Sequence, residues 1–478
     1  MEEGLGWYRR NFLVPVPEAG DLAALNELLL ARCVDSQSHT ISGRSTTMGA
    51  EMEQERPCLL PLAEESFELE ETLFPVLARS PINCLIVEAG AGPIAEAARG
   101  AGRTVLETRS LAAAPLSKIN WGAAGSRVVI SDLSWPRMKL ARRGGGDDSE
   151  AGPTGAPWID SNSWVARLAA VRAPGKPIWL DFKPDPKEPP PAEAGYVTAI
   201  ADAAAAGARW IVTLDEALAK GLAAGNAEAS RSWGGIVSAL AFFEARREWA
   251  RWDPWGPVGV LSSFAGDDEY MGQEVLNLAA RRNLLYRVLD RKVPDTHRVE
   301  GLRAVLYVDS QPPAPALKAK LSAFAESGGL LILPPEVGKL FPPGKPLPCA
   351  VAGYRQQAAG KGRVAVATQD WDDPYFLAAD VHSLVSRKHD PVRLFNGRSL
   401  WMHYSIEPKR QAALLQLVSF TSRANQSVSL APTRPWRTAA MHTIGTGEPR
   451  ILNAVDVDGH PEFQLPPFSW YVALEFKS

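Results

Sequence analysis

Five carboxylates follow short apolar stretches between residues 82 and 216, each at the point where its stretch ends. They are Glu88, Glu107, Asp132, Asp181 and Asp215. The stretches are rich in Val, Ile and Leu and alternate with helical segments, which is typical of a parallel sheet covered on both faces. Ligands bind at the carboxyl ends of the strands in such folds. We therefore expect these side chains to line one ligand site; the alternative for each is a helix N-cap or loop residue.

The chemistry open to this region is that of carboxylates. No histidine occurs between His39 and His297, which excludes a Ser-His-Asp or Cys-His arrangement there and disfavours a zinc site. Glycosidases use two Asp or Glu side chains, one protonated and one ionised, about 5 to 5.5 Å apart in retaining enzymes and about 6.5 to 9.5 Å apart in inverting ones. The region suits this chemistry, and we expect neither a cofactor nor a metal.

A Gly- and Pro-rich segment, GPTGAPWIDSNSW at 152–164, adds four residues of the types that sugar sites use. Trp158 and Trp164 offer aromatic faces for the apolar side of a pyranose, and Asp160 and Asn162 offer polar groups for its hydroxyls. The segment therefore predicts carbohydrate contacts. A capped helix start with both tryptophans in the core is the alternative, and the sequence leaves the two open.

The length of 478 residues corresponds to about three domains. The strand-end carboxylates lie in 73–255, where we expect a partial β/α barrel. Further strand–helix steps predict an open parallel α/β domain over 256–390, and period-2 alternation predicts a small antiparallel β-sandwich over 391–478. The predicted fold class is therefore α/β with a C-terminal sandwich, preceded by a distinct segment at 1–72.

The 256–390 domain lacks the motifs that would give it chemistry of its own. No G-x-G-x-x-G follows its first strand, no Walker A motif occurs, and no Ser or Cys stands at a nucleophile elbow. We expect a structural role there, or a contact within a homo-oligomer. His382 and His389 are seven residues apart on a predicted helix with no third ligand evident, which favours surface or interface histidines over a metal site.

Charge separates the first segment from the rest. Residues 1–72 contain 14 acidic side chains, five arginines and no lysine, whereas the remaining 406 residues contain 46 basic and 40 acidic ones. Neither the acidic segment nor the near-neutral whole favours nucleic acid as a partner.

No apolar run reaches the roughly 18 to 20 residues that span a bilayer, and the start lacks a signal-peptide pattern. We expect a cytoplasmic protein; a secreted ancestor stays an alternative.

Residues 2–68 resemble a known family. RRNFLVPVP, the helix LNELLLARC and ERPCLLPL occur in the order found after the catalytic core of IstA-type insertion-sequence transposases. The resemblance implies that Glu2 corresponds to the last carboxylate of that family's Asp-Asp-Glu triad. The two upstream Asp ligands are absent, and two-metal phosphoryl transfer needs all three carboxylates. The expectation is a transposase remnant in a gene fusion, with a protein-interaction arm as the minority alternative.

Residues 73–478 resemble another group. The carboxylate-rich β/α region, an amidotransferase-like domain without a nucleophile and a terminal β-sandwich follow one another as in the glycoside hydrolases typified by family 42 β-galactosidases. The patterns PTG-x-PW-x-DSN and VLS-x-FAG-x-x-E, here at 153–162 and 260–269, also resemble those of uncharacterised barrel-type proteins of soil bacteria. The resemblance implies a (β/α)₈ barrel, a trimerisation domain and a β cap.

The resemblance also implies roles for the carboxylates. If WIVTLD is the eighth barrel strand, Glu88 ends the fourth strand and Asp181 the seventh, where such enzymes carry the acid/base and the nucleophile. Three strands are then missing, which would leave open edges. The expectation is a glycoside hydrolase-like protein that acts on or binds carbohydrate. The alternative within this expectation is an inactive protein, because the barrel lacks three strands. The alternative is a fragment of an IstA-type transposase fused to an unrelated protein.

Overall fold

The structure, a computed structural model, describes most of the chain beyond residue 80. The described ranges are 80–88, 92–123, 125–139, 158–184, 192–397, 399–409, 411–421 and 424–477, with isolated residues between 31 and 50. The chain divides into two compact units, residues 1–68 and 69–478. The transposase-like interpretation of residues 2–68 lies almost wholly outside the described residues. The finer domain boundaries stay predictions.

The first β/α part contains two separate parallel sheets. Strands β1 (Cys84–Val87) and β2 (Thr104–Glu107) pair with each other, and helix α1 (Gly92–Gly100) lies between them in the chain. The second sheet has the strands β3, β4, β7 and β8 in that order, with the bounds Ala114–Pro115, Val128–Ser131, Ile178–Asp181 and Arg209–Ile211. Between β4 and β7, β5 (Arg137–Lys139) and β6 (Trp158–Asp160) form an antiparallel pair.

The expectation that the five carboxylate-bearing strands share one sheet is wrong. In the described part of the chain β1 and β2 have no ladder to the second sheet, whose edge next to β4 is the short strand β3. Pro115 in that strand has no backbone N–H, and proline is confined to sheet edges because it cannot donate to a further ladder. Strand β6 was also not expected, since the sequence indicated a loop before Trp164.

Four helices accompany the second sheet: α2 (Ser163–Arg172), α3 (Ala192–Ala205), α4 (Glu216–Ala223) and α5 (Ala227–Glu244). The alanine-rich sequence of α3 has a high intrinsic helix propensity. Tyr196 and Val197 of α3 and Ile236 of α5 are fully buried against Ile130 and Leu180 of the sheet. One apolar core therefore fixes the strand ends relative to the helices that follow them.

The second α/β part confirms the expected parallel sheet and adds an antiparallel edge. Its parallel strands are β10 (Val258–Ser262), β11 (Tyr286–Asp290), β12 (Ala304–Tyr307), β13 (Leu330–Leu333) and β16 (Gly362–Ala367). The unexpected edge consists of β14 (Pro346–Leu347) and β15 (Tyr354–Ala359).

The helices of this part are α6 (Glu269–Arg281), α7 (Pro315–Glu326), the short α8 (Pro335–Gly338) and α9 (Pro374–Val385). Apolar clusters cover both faces of its sheet, which explains why its parallel strands are continuously hydrophobic. The expected homo-oligomer contact through 256–390 stays a prediction.

The C-terminal part is the expected antiparallel β-sandwich. One sheet contains, in order, β17 (Val392–Phe395), β20 (Ser429–Pro432), β24 (His460–Gln464) and β23 (Val455–Val457). The other contains, in order, β22 (Arg450–Asn453), β21 (Thr438–Thr443), β25 (Tyr471–Lys477), β19 (Ala412–Ser419), β18 (Leu400–Ile406) and β9 (Asp253–Pro254). Strand β9 precedes the second α/β part in the chain but completes a sheet of the sandwich.

Strand β19 joins the sandwich to the first β/α part. All eight of its residues are buried, because each face packs against a different layer. Leu415 and Leu417 lie in the sandwich core. Leu414 and Val418 pack with Ala201 of α3 and Phe242 of α5.

Helix α2 makes polar contacts with both other parts. Arg172 donates from Nε to Asp290 Oδ2 at 2.7 Å and from Nη2 to the Ser263 carbonyl at 2.8 Å. Arg167 donates from Nη2 to Nδ1 of His403 in β18 at 2.8 Å, and its guanidinium lies over the Tyr286 ring. These contacts fix α2 against the sheet of the second α/β part and against the sandwich.

Removal of the Arg172 cation is expected to destabilise the protein strongly. In Arg172→Met the fully buried Asp290 loses its cation, which should lower the free energy of unfolding by about 3 to 5 kcal/mol. Urea unfolding followed by fluorescence measures the change. The matched control is Arg209→Met, which removes an exposed pair with Glu244 at 3.4 Å and should cost less than about 1 kcal/mol. Equal effects of the two variants would contradict a structural role for Arg172.

His403 is expected to make stability fall in mild acid. Burial, reinforced by the Arg167 guanidinium, holds the pKa of His403 well below its ordinary value. The unfolded chain therefore binds a proton near pH ~6.5 that the folded chain does not. Stability present above that pH is lost as the pH falls below it, by up to about 1.4 kcal/mol per pH unit. The free energies of unfolding of the wild type and of His403→Gln, measured from about pH 8 to 5, should therefore diverge with this slope below pH ~6.5. An equal pH dependence in the two proteins would contradict the role of His403.

Candidate functional site

The carboxyl end of the four-stranded sheet brings two of the expected carboxylates onto adjacent strands. Asp181 is the last residue of the central strand β7, opposite Ile211 of β8. Ile130 of β4 pairs with Leu180, so Asp132 leaves the sheet beside Asp181. Asp132 is exposed and has a left-handed backbone conformation, with φ 59°. This strand end is the candidate functional site.

Asp181 has an altered acidity. Burial raises the pKa of its half-buried carboxyl above the ordinary aspartate value, and the nearby Lys183 ammonium opposes the change. A carboxyl that retains its proton to higher pH can serve as a general acid.

Aromatic rings pack in the apolar core next to this strand end. The Trp135 ring lies edge-on to Phe182, Tyr196 and Trp210, with centroid distances of 5.6, 5.2 and 5.5 Å. Trp135 follows β4, Phe182 follows β7 and Trp210 lies in β8, so the rings come from three adjacent strands. Nε1 of Trp135 and of Trp210 is buried without an acceptor in the described structure. Trp135, Trp210 and Tyr196 of α3 are 8, 6 and 0% exposed, so this aromatic wall is core packing, and Phe182 is its half-buried ring.

Asp215 caps a helix. Its Oδ1 accepts the Leu218 N–H at 3.0 Å at the start of α4. The Tyr196 hydroxyl lies 3.1 Å from Asp215 Oδ2 and accepts the Asp215 N–H at 2.7 Å. The N-cap alternative considered for these carboxylates therefore describes Asp215.

Glu88 and Glu107 lie together on the other sheet. Val87 pairs with Glu107, which places Glu88 at the same end of the two-stranded ladder, and both carboxylates are exposed. No ladder joins this sheet to the one that carries Asp181 within the described ranges. The sheet topology therefore pairs Glu88 with Glu107 and Asp181 with Asp132. The assignment of Glu88 and Asp181 as a catalytic pair stays a prediction.

The residues of the 152–164 segment have mixed positions. Asn162 is 3% exposed, and its amide both accepts the Ser134 N–H at 3.2 Å and donates to the Ser134 carbonyl at 2.7 Å. Trp164 is half-buried and packs against two core clusters. Burial raises the pKa of Glu274 in α6 and lowers that of Arg281; the nearby Asp160 carboxylate adds to the first change and opposes the second, so it lies close to the second α/β part. The Trp158 side chain lies outside the described residues.

Sequence reasoning missed Asp202. This fully buried carboxylate of α3 accepts the Ser161 hydroxyl at 2.6 Å and the Asn162 N–H at 2.9 Å. Burial raises its pKa to about 6 against the opposing effect of these bonds. A lone aspartate within an alanine-rich helix was the available signal, because such a residue needs polar partners when it is buried.

Two further observations bear on what the described residues can hold. They contain no group of three or more His, Cys, Asp or Glu side chains arranged to hold a metal ion. The same part of the chain contains no helix long and apolar enough to cross a bilayer.

Comparisons with known proteins place the fold. No family model and no curated protein sequence matches the chain. Among solved structures, α-L-fucosidase isoenzyme 2 from Paenibacillus thiaminolyticus is similar with a TM-score of 0.52 at 11% identity, covering 99% of this chain and 86% of that one. A β-galactosidase from Bacillus circulans sp. alkalophilus is similar with a TM-score of 0.50 at 10% identity, covering 99% and 76%.

The expected likeness to glycoside hydrolases is therefore confirmed at the level of the fold. The mixed α/β architecture, with parallel and antiparallel sheets, is that of this class of protein. The transposase resemblance of residues 2–68 stays a prediction.

The two interpretations of Asn162 differ in a measurable way. Asn162→Ala removes both bonds that the buried Asn162 side chain makes to the Ser134 main chain, which should lower the free energy of unfolding by about 1 to 3 kcal/mol. The matched control is Gln357→Ala, which removes one exposed bond to the Pro342 carbonyl and should cost less than about 1 kcal/mol. Denaturant unfolding measures both changes. Unchanged stability with weakened sugar binding would instead identify Asn162 as a substrate contact.

Proposed function

We propose that the protein binds a saccharide at the carboxyl end of the four-stranded sheet and that Asp181 donates the proton in cleavage of a glycosidic bond. The observation that carries the proposal is the raised pKa of the half-buried Asp181 carboxyl at the end of a central strand. The fold supports it, because similar structures include an α-L-fucosidase and a β-galactosidase. Ligands of parallel α/β folds bind at this end of the strands.

In this proposal Asp181 protonates the leaving oxygen as the bond from the anomeric carbon breaks, and water supplies the hydroxyl that replaces it. Glu88, the other carboxylate of the predicted pair, is the proposed partner, and its side chain is exposed. This reverses the roles that the strand count implies, because the protonated role suits the carboxyl that burial has made less acidic. Of the sugar contacts predicted from the sequence, Asp132 lies at this strand end and is kept in the proposal. The others stay predictions: Glu107, Trp158, Asp160, Asn162, Trp164 and Asp215.

One ring of the aromatic wall, Phe182, gives the proposed site an apolar surface. Sugar rings present an apolar face that packs on aromatic side chains, and their hydroxyls bond to carboxylates and N–H donors. Phe182 is half-buried beside Asp181, and Trp135 packs on it. Asp132 is exposed at the end of the adjacent strand. These groups supply both kinds of contact within one strand end.

A specific observation favours a second candidate function, carbohydrate binding without cleavage. Glu88 and Asp181 belong to different sheets with no ladder between them in the described ranges. Glycosidases need their two carboxyl groups at a fixed separation, which one continuous sheet would impose. The second candidate keeps Phe182 and Asp132 as sugar contacts and assigns no proton transfer to Asp181.

Asp181→Asn is expected to abolish most turnover. Loss of a positioned general acid should lower kcat/KM for aryl glycosides by about 10² to 10⁴-fold. Asp458→Asn is the matched control, since it removes an exposed carboxylate from the sandwich and asparagine tolerates its left-handed backbone; its turnover should equal that of the wild type. The turnover rate of the wild type should also fall as the pH rises through the pKa of Asp181, which lies above the ordinary aspartate value, because the carboxyl then loses its proton.

The outcomes separate the two candidates. A wild type that hydrolyses no member of a broad aryl glycoside panel, yet is stabilised against heat by a saccharide, would establish binding without cleavage. Full activity in Asp181→Asn would remove Asp181 from the mechanism. Neither turnover nor a saccharide-induced shift in Tm would exclude both candidates.

A further inference from the structure

A basic cleft lies where α9 ends and the sandwich begins. Its volume is about 610 Å³, and an adjoining recess of about 250 Å³ shares some of its lining. The cleft lies between the second α/β part, which provides Arg282 and His382, and the first sandwich strand, which provides Arg393. It is distinct from the strand end that carries Asp181.

The charge of the cleft is strongly unbalanced. Four cationic side chains line it, Arg282, Arg387, Lys388 and Arg393, and the one lining carboxylate is Asp390. None of the four cations forms an ion pair with a described residue. Arg282 lies over the Tyr375 ring, and its charge partly opposes the burial that raises the pKa of Asp380, without a direct ion pair. Unpaired cations in a recess attract an anion from solution.

Polar atoms deep in the cleft also lack partners. His382 is 4% exposed, and its Nε2 lies 3.2 Å from Asp390 Oδ2. His382 Nδ1, Asp390 Oδ1 and Arg282 Nε are buried with no hydrogen-bond partner in the described structure. Buried polar groups are normally hydrogen-bonded, so three orphaned atoms around one recess mark a place for a ligand that both accepts and donates.

We propose that this cleft binds a tetrahedral oxyanion, namely a phosphate or sulfate group, free or carried on a larger molecule. Arg387, Lys388 and Arg393 neutralise its charge, and Arg282 Nε donates to one of its oxygens. Asp390 Oδ1 accepts from a hydroxyl of the ligand, such as the P–OH of monohydrogen phosphate. The competing explanation for Arg387 and Lys388 is attraction to the negative end of α9, which requires no ligand.

Calorimetric titration of the full chain with inorganic phosphate at low ionic strength tests the proposal. Phosphate should bind and raise Tm, whereas chloride at equal ionic strength should not. The triple variant Arg387→Gln, Lys388→Gln, Arg393→Gln should bind phosphate at least tenfold more weakly. The matched control is Lys320→Gln, Arg355→Gln, Lys361→Gln, which removes equal charge from exposed positions of the second α/β part and should bind as the wild type does.

Further arms distinguish the sources of the anion. Sulfate binding as tight as phosphate would show that Asp390 accepts no ligand proton, which overturns that contact. Tighter binding of a sugar phosphate than of inorganic phosphate would identify a carried group. No phosphate binding by the wild type, or equal loss in both triple variants, would overturn the site and leave helix-end attraction as the explanation. Circular dichroism and thermal unfolding without phosphate confirm that each variant is folded.

Discussion

The architecture depends on two arginines of one ten-residue helix. A guanidinium in a protein interior must have partners, because the energetic cost of an unpaired buried charge exceeds what neighbouring apolar packing can supply. Arg172 finds its partners on the second α/β sheet, and Arg167 finds His403 on the sandwich. Helix α2 therefore has one position in which both are satisfied. The first β/α part, the second α/β part and the sandwich meet around helix α2.

The N-terminal end of the same helix also holds the backbone of the strand-end site in place. Asp202 of α3 holds the Ser161 hydroxyl and the Asn162 N–H at the N-terminal end of α2, and the Asn162 side chain in turn holds the main chain of Ser134. Ser134 belongs to the loop that follows β4, between Asp132 and Trp135. A chain of hydrogen bonds thus runs from the helix layer to the groups beside Asp181. Precise sites are usually supported in this way, by residues that never touch the ligand.

The sequence predicted those features that follow from local pattern. Period-2 alternation indicated the sandwich strands, and continuous apolar runs indicated the parallel strands. It could not show that the ladder stops at Pro115, because pairing is decided by partners distant in the chain. It also could not show the contact between Arg167 and His403, which are 236 residues apart. For Asp215 the pattern allowed both a cap and a ligand contact, and only the position of Leu218 N identified the cap.

The topology of the sandwich constrains how the chain can be synthesised and folded. Strand β25 lies in the middle of its sheet, between β19 and β21. Strand β9 at the edge pairs with β18, which follows it some 150 residues later in the chain. Until residue 477 has left the ribosome, β19 and the apolar surfaces of α3 and α5 lack their cover. Such long-range pairing slows folding and leaves intermediates whose exposed apolar surface makes them prone to aggregate. We therefore expect the nascent protein to be a client of chaperones that act late in translation.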